Sequence, residues 1–346
     1  LGEMSSICAS AAWLKPRSLR SCRTREPTNV LATRPAYDHL RRSTSHPWQA
    51  LGRLAFIWAF GMIASRVRVH GRGMSRETGG AGSGLAKALM PVPDPHPDVF
   101  DREWPLRVGD IDRDGRLRLD AACRHIQDIG QDQLREMGHE ETHPLWIVRR
   151  TMVDLIRPIE FQDMLRMRRW CSGTSNRWCE MRVRIDGRKG GLIESEAFWI
   201  NINRETQGPA RISDDFMEAL QRTTDVDRLR WKAYLTAGSR ADANEIRDFP
   251  IRVSDIDLFD HMNNSVYWKV VEEFLANYPE LFEAPLRVTI EHDLPVAFGD
   301  KLEILLHVYL PGTTDKFGPE LADRTVRTLT YVVGDEVKAV ASIFPL

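Results

Sequence analysis

Downstream of residue 100 the apolar positions change period twice, in the same order each time. Between 120 and 137, Ile126, Ile129, Leu134 and Met137 recur at spacings that set them on one face of a helix. Val266, Val270, Val271, Phe274, Leu275 and Tyr278 do the same more clearly. Each helical stretch is followed by four strand-like runs, at 145–155, 164–172, 178–186 and 192–202, then at 286–292, 301–310, 324–333 and 336–344. Asp186-Gly187 and Gly334-Asp335 punctuate them as hairpin turns. One helix and a run of mostly antiparallel strands, twice over, predicts an α+β protein in which a sheet wraps a buried helix in each half.

A sequence repeat supports the duplication. Arg107-Val108-Gly109-Asp110-Ile111-Asp112 recurs 145 residues later as Arg252-Val253-Ser254-Asp255-Ile256-Asp257. The expected organisation is a first domain over 98–222, a connector over 223–244 and a second domain over 245–346. Before them lies a stretch with neither period. Residues 1–95 carry 14 Lys+Arg against 5 Asp+Glu and end in Gly-rich and Pro-rich runs. Residues 1–97 therefore read as a poorly ordered basic leader and linker, with a true start expected near Met74. Its apolar run at 54–64 is shorter than the roughly 18–20 residues that span a bilayer, so no stable membrane insertion is expected.

Across the 346 residues the formal charge is −1, which leaves no bulk attraction for nucleic acid or membrane. The 5 cysteines are odd in number and lack CxxC spacing, so neither a disulfide framework nor a thiolate zinc site is indicated and a reducing, cytoplasmic setting is expected. The histidines show no ligand spacing, so neither metal nor organic cofactor is expected.

The chemistry concentrates in the second copy. Asp255, Asp257, His261, Asn263 and Asn264 stand immediately before the second helical stretch. Carboxylate, imidazole and amide at such a junction put proton-transfer groups beside helix N–H donors that can hold a polarised carbonyl oxygen, which suits acyl chemistry. At the 145-residue offset the first copy has Arg116, Arg118 and Leu119 opposite His261, Asn263 and Asn264, so it lacks the polar set. Each residue also has a plain reading, with either Asn as an N-cap and Asp257 closing a turn. The whole cluster, in one copy only, favours function.

The stretch Val253-Ser254-Asp255-Ile256-Asp257-Leu258-Phe259-Asp260-His261-Met262-Asn263-Asn264-Ser265-Val266-Tyr267 resembles the active-site segment of acyl-ACP thioesterases, which are tandem hotdog proteins. The first half fits too. Its helical stretch resembles that family's opening helix, and Phe198-Trp199-Ile200-Asn201-Ile202-Asn203-Arg204-Glu205-Thr206 resembles its strand-and-turn signature. The resemblance implies two tandem hotdog domains, each a curved sheet around a central helix. It also implies hydrolysis of a fatty acyl thioester carried by acyl carrier protein, with a homodimer as a possible assembly. Phe259 stands where the family has an Asn, and Pro295 and Val296 where it has a Glu-Cys pair. No cysteine follows Cys179, so a thiol nucleophile in the second half is excluded and water must attack.

Resemblance and local chemistry together assign Asp257 and His261 to orienting or deprotonating that water, and Asn263 with the helix N-terminus to the oxyanion. Asn264, Tyr267 and Trp146 are expected to contact substrate. Glu272, Glu273, Glu291 and Asp293 remain candidates for the missing Glu. Acyl-CoA hydrolysis and a non-catalytic acyl-binding protein stay open as alternatives. Two further features of the first half carry expectations. Arg149, Arg150, Arg166, Arg168, Arg169, Arg182, Arg184, Arg188 and Lys189 form a basic stripe, either a docking face for an acidic carrier or a solvated outer face. Trp146, Trp170, Trp178 and Trp199 are either walls of an acyl tunnel or core. Residues 187–191 read as a hairpin turn.

Overall fold

The described residues are 84–346, apart from 94, 283 and 284, in a computed structural model of the chain. In order they form β1 (Phe100–Pro105), α1 (Leu119–Glu136), β2 (Trp146–Arg157), β3 (Met164–Thr174), β4 (Trp178–Gly187), β5 (Leu192–Asn201) and α2 (Asp214–Gln221). The second half continues with β6 (Glu245–Phe249), α3 (Asn264–Leu275), β7 (Leu286–His292), β8 (Leu302–Tyr309), β9 (Val326–Val333) and β10 (Glu336–Pro345). Both helices and all eight strands expected from periodicity are present, with ends shifted by a few residues. Periodicity misses β1, β6 and α2. The sequences FDREWP and EIRDF are charged and mostly half-exposed or exposed, so they do not alternate, and charged residues are what a sheet edge carries. Both are indeed outermost.

All strands join one antiparallel sheet in the order β1-β3-β4-β5-β2-β7-β10-β9-β8-β6. Outward from the centre, the first half runs β2, β5, β4, β3, β1 and the second β7, β10, β9, β8, β6. The halves share one topology. The sequence reading gives a sheet for each half, whereas the structure fuses them through the β2·β7 pair, with Thr151 opposite Ile290 and Val153 opposite Val288. On the inner face α1 and α3 pack against each other and against a core that includes Ile126, Ile129, Val271, Phe274, Val288 and Ile290. Alternation explains why Val153, Leu155, Val183 and Ile193 point there, each at most 2 % exposed.

The outer face is covered as well. The connector crosses it, with the Trp178 indole donating to Leu229 O (2.8 Å) and the Tyr234 and Leu235 N–H groups donating to Glu291 (2.9 and 3.1 Å). The leader lies outside the described residues up to 83. Its described end packs on this face, with Leu85 in an apolar cluster with Leu235 and Phe344, and Lys87 Nζ 2.5 Å from Glu196.

The basic stripe is largely paired with carboxylates and divides by burial, with Arg182 fully buried and Arg166 and Arg188 exposed. Arg182 lies opposite Glu196 and Arg184 opposite Glu194 across β4 and β5. The Arg182 side chain is fully buried, with Glu196 at 3.5 Å and Glu194 at 3.7 Å. Arg150 pairs with Glu291, Arg149 with Asp293, Arg166 with Asp101, Arg168 with Asp186 and Arg188 with Glu103. Arg169 turns to Gln133 of α1, and Lys189 donates to the Phe161 carbonyl. Cross-strand register supplies the carboxylates facing Arg150, Arg182 and Arg184, which linear order hides.

Candidate active site

The repeated hexapeptide folds into the same loop twice. Asp110 and Asp255 are buried, and each accepts the backbone N–H of the residue three before it, Arg107 at 3.1 Å and Arg252 at 2.9 Å. Each also pairs with a helix cation, Arg124 at 3.2 Å and Lys269 at 2.7 Å. Asp255, grouped with the chemistry from its sequence position, therefore holds the loop to the helix, as Asp110 does in the half without chemistry. Asp112 and Asp257 also correspond. Asp112 Oδ1 accepts from the Asp114 and Arg116 N–H groups (3.0 and 2.8 Å), and Asp257 Oδ1 from those of Phe259 and His261 (2.9 and 3.4 Å). Gly115 and Asp260 share one turn position, at φ 82° and 61°.

That positive φ is strained for a side chain, though less for Asp than for most. Asp260→Gly is expected to raise stability by about 0.5 kcal/mol. Urea unfolding of the two proteins checks this.

Where the loop meets the helix the halves diverge. α1 has no side-chain N-cap of its own; Arg118 bonds Asp120 and the Ile111 carbonyl instead. Its first N–H, on Leu119, donates across the molecule to Glu272 of α3, which also takes a bidentate contact from Arg116 (2.8 and 3.3 Å). α3 is capped locally. Asn263 Oδ1 accepts from the Ser265 N–H (2.9 Å) and Oγ–H (2.8 Å), so the capping role occupies the oxygen of Asn263 and its Nδ2 amino end carries its donors.

Asp257 and His261 are half-buried on the loop into α3. Burial pushes the Asp257 carboxyl above the usual carboxylate range, against the two backbone N–H groups that pull it down. Burial pushes the His261 imidazole below its ordinary value, against the pull of Asp260, which favours the neutral form that can take a proton. The stretch after β7 lies alongside, with the Met262 N–H donating to Val296 O at 2.7 Å and His261 bridged to Ala297. Phe259, in the place of the family's Asn, is an exposed ring at 40 %.

Two of the candidate carboxylates are held elsewhere. Glu272 is committed to Arg116 and the start of α1. Glu291 projects from the outer face, bound to Arg150 and the connector backbone. Glu273 is an exposed residue of α3, and Asp293 pairs with Arg149.

Between the two helices and the inner face of β2 and β5 lies a cavity of about 20 Å³, lined by Cys123, Ile126, Gln127, Val148, Thr151, Ala197, Trp199, Asn264 and Trp268. That is room for one water-sized group. Asn264, expected at the substrate, is in its wall. Asp257 and His261 stand on the adjoining loop and not in that lining. Gln127 and Thr151 come from the first half and were outside the residues singled out by sequence; the signal available was the 145-residue offset, which sets Gln127 opposite Glu272. Cys123 is no nucleophile here, because burial, then Asp120 and Glu272, push its thiol well up. Tyr267 is 3 % exposed, its ring edge-on to His292 (4.6 Å between centroids) and tilted against Tyr331. Trp146 donates from its indole to His143 O (3.1 Å) and packs against Phe216 of α2. Of the other tryptophans, Trp199 reaches the cavity, while Trp178 lies under the connector and Trp170 is stacked by Arg182.

With this geometry in place, relatives become informative. Residues 97–220 match the acyl-ACP thioesterase N-terminal domain and residues 238–345 the acyl-ACP thioesterase C-terminal domain. An uncharacterized protein of Mycobacterium tuberculosis is 41% identical over 243 residues, covering 70% of this chain and 90% of its own. Two solved structures share the fold at low identity. A 12:0-ACP thioesterase from Umbellularia californica superposes with a TM-score of 0.56 at 18% identity, covering 71% of this chain and 93% of that one. An acyl-ACP thioesterase from Bacteroides thetaiotaomicron gives 0.55 at 16% identity, with 71% and 97% covered. The architecture is a tandem hotdog, and the matched family places the chain among hydrolases that act on thioesters. This chain belongs to the acyl-ACP thioesterase family. Among the described residues no helix is long and apolar enough to cross a membrane.

Proposed function

We propose that the chain hydrolyses fatty acyl-ACP to free fatty acid and carrier thiol, in the cytoplasm, at Asp257, His261 and Asn263. The observation that carries this is a half-buried imidazole on an Asp-braced loop at the start of α3, in the one half where the matching position is not an arginine. His261 takes a proton from water as the water oxygen bonds to the thioester carbonyl carbon, with Asp257 bracing the loop through its backbone bonds. The carbonyl electron pair moves onto oxygen beside the first N–H of α3, on Asn264, and the Asn263 amino end. When the carbonyl re-forms, the C–S bond breaks and the thiolate leaves, taking back the proton from His261. A thiolate needs little acid assistance to leave, so a site without the family's Glu and Cys suffices. Asn264 contributes to the wall that receives the thioester, alongside Trp199 and Trp268.

Purified protein with a panel of medium- and long-chain acyl-ACPs is expected to turn over many times, with a higher kcat/KM than on the matching acyl-CoAs. Stoichiometric capture without turnover would reject hydrolysis, and a preference for acyl-CoA would reject the carrier.

A further inference from the structure

The two halves differ in one more residue at the site, and the difference lies across the molecule. At the 145-residue offset, α1's Gln127 corresponds to α3's Glu272, as Leu119 corresponds to Asn264 and Arg116 to His261. The loops match bond for bond: Asp112 N–H to Arg116 O and Asp257 N–H to His261 O are both 2.8 Å, and Arg118 N–H to Asp110 O and Asn263 N–H to Asp255 O are 3.0 and 2.9 Å. In the first half the start of the helix is filled from within. One Glu272 oxygen accepts from both the Leu119 N–H and Arg116, so that position holds an anionic oxygen belonging to the protein. In the second half the corresponding Gln127 and Asn264 line a cavity of about 20 Å³ with Thr151, enough for one oxygen atom of a ligand.

We propose that Gln127, supplied by the first half, is a catalytic residue of the second half's site, donating its carboxamide N–H to the thioester carbonyl oxygen in the position that Glu272 Oε1 fills in the first half. This rests on the thioesterase reading above. A neutral amide at 127 presents donors to the oxyanion, whereas a carboxylate there repels it and competes for the same N–H. The Gln/Glu difference thereby explains why one half can admit a substrate oxygen and the other is closed.

Gln127→Ala and Gln127→Glu in the full chain, assayed on the acyl-ACP that wild type prefers, test this. Alanine removes the donor, and kcat is expected to fall by about 10²- to 10³-fold with little change in KM. Glutamate is expected to be at least as impaired at pH 8, and its activity relative to wild type at the same pH should recover as the pH falls and the carboxyl regains a proton. The ratio to wild type matters because Asp257 and His261 also titrate. A packing role alone gives no such recovery. Thermal melts of both variants establish that they fold. Wild-type rates in both variants, or a Gln127→Glu defect independent of pH, overturn the assignment while leaving the thioesterase reading standing. A wild-type chain inert towards all acyl-ACPs and acyl-CoAs removes both.

Discussion

His261→Ala is expected to lower kcat by about 10²- to 10⁴-fold, the range for loss of a general base, with an unchanged melting temperature. The imidazole is half-buried on a loop whose backbone bonds run through Asp257 Oδ1 and the Met262–Val296 pair, so truncating the ring leaves the loop's scaffold in place. Only the neutral ring accepts a proton. Because burial lowers its pKa, kcat/KM should hold through neutral pH and fall on acidification, with an apparent pKa below the roughly 6.5 of a free histidine. Asp257→Asn separates the two duties of its neighbour: the amide oxygen can still accept the Phe259 and His261 N–H groups while the charge is lost. A smaller defect in Asp257→Asn than in Asp257→Ala assigns Asp257 to bracing; equal, severe defects assign it to proton transfer. Turnover unchanged in His261→Ala and in Asp257→Ala would remove this loop from the chemistry.

Arg287→Met is expected to cost about 3–5 kcal/mol, the largest stability loss predicted for this chain. The side chain is 2 % exposed and bidentate to Asp154 at 2.6 Å for both bonds, across the β2·β7 seam. It also donates to the Leu85 and Lys87 carbonyls (2.7 and 2.6 Å), tying the N-terminal segment to both halves at once. Removing the cation strands a buried carboxylate and two carbonyls. Asp154→Leu combined with Arg287→Met removes the stranded charge, so the double variant should be more stable than Arg287→Met alone. Urea unfolding of the cycle measures this. A loss under about 1 kcal/mol in Arg287→Met would show that the seam does not depend on the pair.

How much of this was legible in the letters differs by level. Two helices and eight strands could be read because Ile126 and Ile129, or Val183 and Ile185, keep a period set by one buried face. β1 and β6 could not, since Arg102, Glu103, Arg247 and Asp248 answer to solvent at an edge and not to a core. The repeat was visible, but its meaning was divided. Asp110 and Asp255 recur because a turn must be tied to a helix, while the positions that distinguish the copies, Arg116 against His261 and Leu119 against Asn264, do not recur at all. The pairing of the arginine stripe was hidden for the opposite reason. Arg182 is 13 residues from its partner Ser195 carbonyl and one strand away from Glu196, a pairing that exists only once β4 and β5 are in register. Gln127 lay beyond local reading altogether, because its significance depends on a helix from the other half.

The seam at β2 and β7 makes one chain serve as both partners of what would otherwise be a bimolecular assembly. Covalent linkage keeps the two halves at a fixed, high effective concentration, so a pocket built from both survives dilution. Each half is also freed from being its own mirror image: one can mutate its copy of the loop into a strut while the other keeps an opening, a division of labour that two identical subunits cannot reach.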